Sequence, residues 1–83
     1  MNIELIGYLG DIRNDTGILG KSFIFKLITE NINEEFIFFI HPNENVKPFI
    51  TIDYELTNEQ KTEIVNNIIN KYTKDTLLNY ANN

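Results

Sequence analysis

The sequence predicts an α+β fold: a four-stranded antiparallel sheet, built as a meander, followed by a C-terminal helix packed on one face. Three observations predict it. Apolar residues recur at strand spacing from Ile3 to Tyr54, and short clusters of turn-forming residues divide that stretch. The spacing becomes helical after Leu56. Consecutive strands joined by short loops pair as a meander. At 83 residues the chain is read as one small α+β domain over 1–83, with no room for a second core.

Ile3 to Leu9 reads as the first strand, with Ile3 and Leu5 on one face and Glu4 on the other. Gly7 and Gly10 mark a bulge or bend near its end. Asp11 to Lys21 reads as a turn or long hairpin loop. Asn14, Asp15 and Gly17 supply local hydrogen bonds and a position tolerant of positive φ, and Ile12, Ile18 and Leu19 are expected to anchor the loop to the body.

Ser22 to Glu30 reads as the second strand. Phe23, Phe25 and Leu27 fall on one face; Ile24, Lys26 and Ile28 fall on the other. A helical stripe also fits, but β-branched and aromatic enrichment favours the strand. Asn31 to Glu34 is expected as a short hairpin loop.

The third strand, Glu35 to His41, contains five consecutive apolar residues, Phe36-Ile37-Phe38-Phe39-Ile40. Neighbouring side chains of a strand point to opposite faces, so this run asks for cover on both. Pro42 cannot donate to a ladder and ends the pairing, and Asn43 to Asn45 form a loop. Phe49 to Glu55 alternates as a fourth strand: Ile50, Ile52 and Tyr54 on one side, Phe49, Thr51, Asp53 and Glu55 on the other.

Thr57 and Gln60 have the spacing of a capping box, with Leu56 placed as a hydrophobic staple. Glu59 and Glu63 suit the positive end of the helix dipole. Ile64, Val65, Ile68, Ile69 and Tyr72 form the apolar stripe. Thr73 and Asp75 allow a break and a second short turn, with Leu77, Leu78 and Tyr80 as its apolar side, and Ala81 to Asn83 are expected to fray.

A net charge of −5, with seven scattered basic residues, weighs against direct contact with nucleic acid or an acidic membrane. Without cysteine, and with His41 as the only histidine, no metal site or cofactor is implied. The first residues lack the regions of a signal peptide and no apolar run spans a bilayer, so the expected location is cytoplasmic. The dominance of Asn and Ile fits an AT-rich genome, as in low-GC bacteria and their phages.

Two motifs fail on inspection. Asp15-Thr16-Gly17 has the residues of the aspartic-protease triplet, but Arg13-Asn14 precede it where an apolar strand is needed, and the triplet is common in turns. Gly17 to Ser22 ends like a phosphate-binding loop, but Asp15 stands where its first glycine belongs and no helix is expected to follow. His41 has no Ser or Asp at a spacing that makes a triad.

The candidate partner-binding residues fall in two sets. Ile24, Ile28, Ile37 and Phe39 share the sheet face away from the helix, unless the opposite parity places Phe36, Phe38 and Ile40 there. The long loop or the C-terminal turn could otherwise fold over that face. Asp53, Glu55, Glu59 and Glu63 form an acidic run that serves as a solvated face or as a patch imitating nucleic acid. The expected function is a small acidic non-enzymatic interaction protein, a phage or mobile-element inhibitor that binds and blocks a host macromolecule, with a protein partner and room for a homodimer. Two alternatives are a nucleic-acid mimic that inhibits a basic protein and an oligomeric ligand-binding or enzymatic domain.

Overall fold

The computed structural model describes residues 2–15, 17–41 and 45–82, without the side chains of residues 13, 14, 18 and 19. The strands β1 (Asn2–Asn14), β2 (Gly17–Ile28), β3 (Asn33–Ile40) and β4 (Phe49–Thr51) are followed by helices α1 (Asn58–Lys71) and α2 (Lys74–Asn82). The sheet is antiparallel throughout, in the order β1-β2-β3-β4, and is the expected meander.

The register decides which side chains share a face. Leu5 pairs with Phe25 and Phe25 with Phe36, while Tyr8 pairs with Phe23 and Phe23 with Phe38. These residues point toward the helices, with Ile3, Leu27, Ile40 and Ile50. Ile64 and Ile68 of α1 and Leu77 of α2 close the same core. Phe25 is fully buried, with ring centroids 5.5 Å from Phe38, 5.6 Å from Tyr72 and 6.0 Å from Phe36. The parity that puts Ile24, Ile28, Ile37 and Phe39 on the far side is therefore the one adopted.

α1 begins as its sequence dictates. The Thr57 hydroxyl accepts from the Gln60 amide at 3.1 Å, and the Gln60 side chain accepts from the Thr57 amide at 2.9 Å. At the other end, Lys71 Nζ donates to the Ile3 carbonyl at 3.1 Å and ties α1 to β1. α2 exceeds the expected turn. The Thr73 hydroxyl accepts from the Thr76 amide at 3.2 Å, Leu77 is buried, and Ala81 rather than Tyr80 packs on the core. Ala81 and Asn82 stay helical instead of fraying, and Asn83 lies outside the described residues.

Three boundaries differ from the sequence reading. The expected loop Asp11–Lys21 is strand on both sides, so β1 and β2 form one long hairpin. Register slips at Leu5/Gly7, Tyr8/Gly10 and Ile12/Arg13 absorb the turn-like residues, with Gly10 at φ +139° and Gly17 at φ +131°. Such φ values suit glycine within a bulged or turning ribbon. Cross-strand side chains hold the ribbon together: Ser22 Oγ donates to the Gly10 carbonyl at 2.8 Å, and Lys21 pairs with Asp11 at 2.8 Å. Ile12 is exposed, while the Ile18 and Leu19 side chains lie outside the described residues, as does Thr16.

The second hairpin turn sits earlier than expected, over 29–32, so Asn33 and Glu34 belong to β3. The Thr29 hydroxyl accepts from the Ile32 amide at 3.0 Å, and the Thr29 amide donates to the Ile32 carbonyl at 2.8 Å. Pro42, Asn43 and Glu44, read as strand end and loop, lie outside the described residues.

β4 is only three residues long, against seven expected. It pairs with β3 from Ile37 to Phe39, after which the chain leaves the sheet to enter α1. Ile52 and Leu56 still turn inward and pack against the core. Asp53 and Glu55 therefore do not share a strand face. Among the described residues, no helix is long and apolar enough to cross a membrane.

Candidate functional site

Both helices contribute their buried residues to one side of the sheet, which leaves the opposite face without a helix. Along that face Ile24 stands opposite Ile37, Ser22 opposite Phe39, and Phe39 opposite Phe49. Lys26 and Glu35 form the next cross-strand pair, and Ile28 lies beyond it opposite Asn33. All four apolar residues singled out from the sequence, Ile24, Ile28, Ile37 and Phe39, thus lie on one surface.

Their exposures differ for a local reason. Phe39 is only 8% exposed, because its ring lies over Gly20 and within 4.8 Å of the Phe49 ring. A Cβ at Gly20 would sit 2.8 Å from Phe39 Cζ and 2.3 Å from the Ile40 carbonyl oxygen, so the missing side chain makes the seat for the ring. Ile37 is 37% exposed and Phe49 50% exposed, while Ile24 and Ile28 are half-buried. The cover demanded by the third strand is therefore supplied by the chain at Phe39 and not at Ile37. Of the two covers anticipated from the sequence, the expected loop is strand, and Leu77 of α2 belongs to the helix-side core.

Phe49 joins this surface although the sequence reading did not single it out. A signal was present, since Phe49 is the one apolar residue on the otherwise polar side of its strand. The acidic candidates occupy two kinds of element. Asp53 and Glu55 are exposed in the irregular segment 52–57; Glu59 and Glu63 are exposed one turn apart on α1.

Tyr8, Asp11 and Lys21 form a connected polar cluster on the long hairpin. The Tyr8 hydroxyl donates to the Asp11 carboxylate, and Lys21 Nζ lies 2.8 Å from Asp11 Oδ1 and 3.5 Å from the Tyr8 hydroxyl. Partial burial, aided by the bond to Asp11, raises the Tyr8 pKa above its ordinary value. The bond to Asp11 raises that of Lys21. Both shifts hold protons on, which is opposite to what a general base or an amine nucleophile needs at neutral pH. The cluster fastens two strands.

Gly17 to Ser22 runs within β2, with no helix after it to receive a phosphate. His41 is half-buried at the end of β3, beside Val46, Pro48 and Lys74. Among the described residues, no three His, Asp or Glu side chains are grouped to hold a metal ion.

No family model, curated protein or solved structure matches this chain.

What the surface offers chemically is adhesion. Ile37 and Phe49 present large side chains to solvent, with the Lys26 and Glu35 pair next along the strands from Ile37. Water is displaced from such a patch when a complementary surface covers it.

Proposed function

We propose that this protein is a non-enzymatic interaction protein, of bacterial or phage origin, that binds a partner protein through the helix-free face of its sheet. It acts as an inhibitor, by occupying a surface its partner needs. The observation that carries this reading is the exposure of Ile37 and Phe49 beside Ile24, on a face to which neither helix contributes a buried side chain. Extended apolar patches on a folded monomer commonly mark an interaction site. The acidic balance of the chain supports a protein partner over nucleic acid.

The test compares the wild type with the double variant Ile37→Glu, Phe49→Glu, each immobilised and exposed to extract of the source cells. Light scattering on the free proteins accompanies it. The reading expects a monomer that retains a protein the double variant does not retain, with the two melting alike. A wild-type dimer that the double variant splits would assign the face to a second copy of the chain and defeat the reading.

A further inference from the structure

We propose that the cleft between β4 and α1 takes an extended acidic peptide segment of a partner protein, added to the open edge of β4 as a fifth strand. β4 ends the strand order, so among the described residues its outer edge has no partner in the sheet. An edge strand presents unpaired backbone donors and acceptors, and extended peptides are recognised by pairing with them. A cleft of about 520 Å³ runs beside this edge, within the range of ligand sites. It is lined by Phe49, from the helix-free face, and also by Ile50, from the helix side. A space that touches both faces of one strand opens around its edge. The far wall is α1, through Val65 and Ile69, the latter 42% exposed. An added strand alternates its side chains, so one set would meet Val65 and Ile69 while the other lies along Phe49.

Charge selects the occupant. Among the described residues, the lining contains Lys47 and Lys61 and no aspartate or glutamate, in a chain whose net charge is −5. Among the described residues, neither lysine is engaged in an ion pair. Two cations beside an open strand edge favour carboxylates on the incoming segment, and they disfavour a basic one. This surface meets the helix-free face at Phe49, but its selectivity comes from Lys47 and Lys61 and its mode of contact is the backbone.

The experiment uses the whole protein and four short labelled peptides, read by fluorescence anisotropy. One alternates glutamate with valine or threonine, one has lysine in place of glutamate, and one is the acidic peptide N-methylated at alternate amides. A second N-methylated peptide in the other register covers both faces of the backbone. The acidic peptide is expected to bind, the lysine peptide not to, and N-methylation in one register to abolish binding. Lys47→Glu with Lys61→Glu should weaken binding about tenfold or more, as loss of two exposed charge pairs plus repulsion implies. Equal binding of acidic and basic peptides overturns the proposal, as does indifference to both N-methylated forms or to the lysine reversals. Absence of binding at about 1 mM, the weak end of specific recognition, overturns it as well.

Discussion

The two faces of this sheet are made from the same strands and have opposite fates. On β3, Phe36, Phe38 and Ile40 turn toward the helices and are buried, while Ile37 turns away and is exposed. Hydrophobicity does not distinguish them, since the run from Phe36 to Ile40 is apolar throughout. What distinguishes them is cover: Ile64, Ile68 and Leu77 are all spent on one side. In so short a chain, one sheet and two helices close one core; on the remaining face Phe39 is covered by Gly20 and Phe49, while Ile37 and Phe49 stay exposed.

The contrast breaks most severely in the core. Phe25→Ala removes a fully buried ring that touches Phe36, Phe38 and Tyr72, and should cost about 3–5 kcal/mol. Urea denaturation should then show a protein largely unfolded near body temperature, because small domains have little stability to lose. Gly20→Ala tests the place where Phe39 is sealed on the helix-free face. Its Cβ would press on the Ile40 carbonyl and the Phe39 ring, and a loss of about 1–3 kcal/mol is expected, with Phe39 displaced in the variant's NMR spectrum.

Thr57→Ala should cost about 1 kcal/mol by removing half of a capping box, read as a lower thermal midpoint. That helix start was fully legible in the sequence, because a capping box is a local pattern at fixed spacing. The alternation of β2 was legible for the same reason, but the choice between Ile24, Ile28, Ile37 and Phe39 and the opposite parity was left open, because Phe36 to Ile40 is apolar throughout and the packing of the helices decides it. The length of β4 was not. Its alternation continues to Glu55, but pairing depends on where the chain must leave to reach α1, and no local pattern records that. The long hairpin was hidden by Gly10, Asn14, Asp15 and Gly17, whose turn-like character read as a loop, whereas register slips let β1 and β2 stay paired as far as Asn14 and Gly17. Lys47 and Lys61 come from a loop and a helix, and only the fold sets them beside one cleft.

The smallest effect concerns the hairpin cluster and has a definite sign. Tyr8 and Lys21 both have folded-state pKa values above their ordinary ones. A group whose pKa is raised on folding binds its proton more tightly in the native state, so its contribution is present below the ordinary value and lost as pH rises through the folded one. Stability should therefore fall as pH climbs beyond about 10. Tyr8→Phe should flatten part of that fall in a series of melts, and an unchanged slope would remove Tyr8 from the account.

Adjacent residues of β3 test the division of labour most directly. Urea unfolding and partner capture are measured together for Phe38→Ala and Ile37→Glu. Phe38→Ala, on the helix side, is predicted to lose about 3–5 kcal/mol. Ile37→Glu is predicted to lose about 1 kcal/mol or less, while losing the protein that the wild type retains from source-cell extract. An Ile37→Glu protein that unfolds like Phe38→Ala, or that folds and retains the same protein as the wild type, would contradict the claim that one face builds the fold and the other meets the partner.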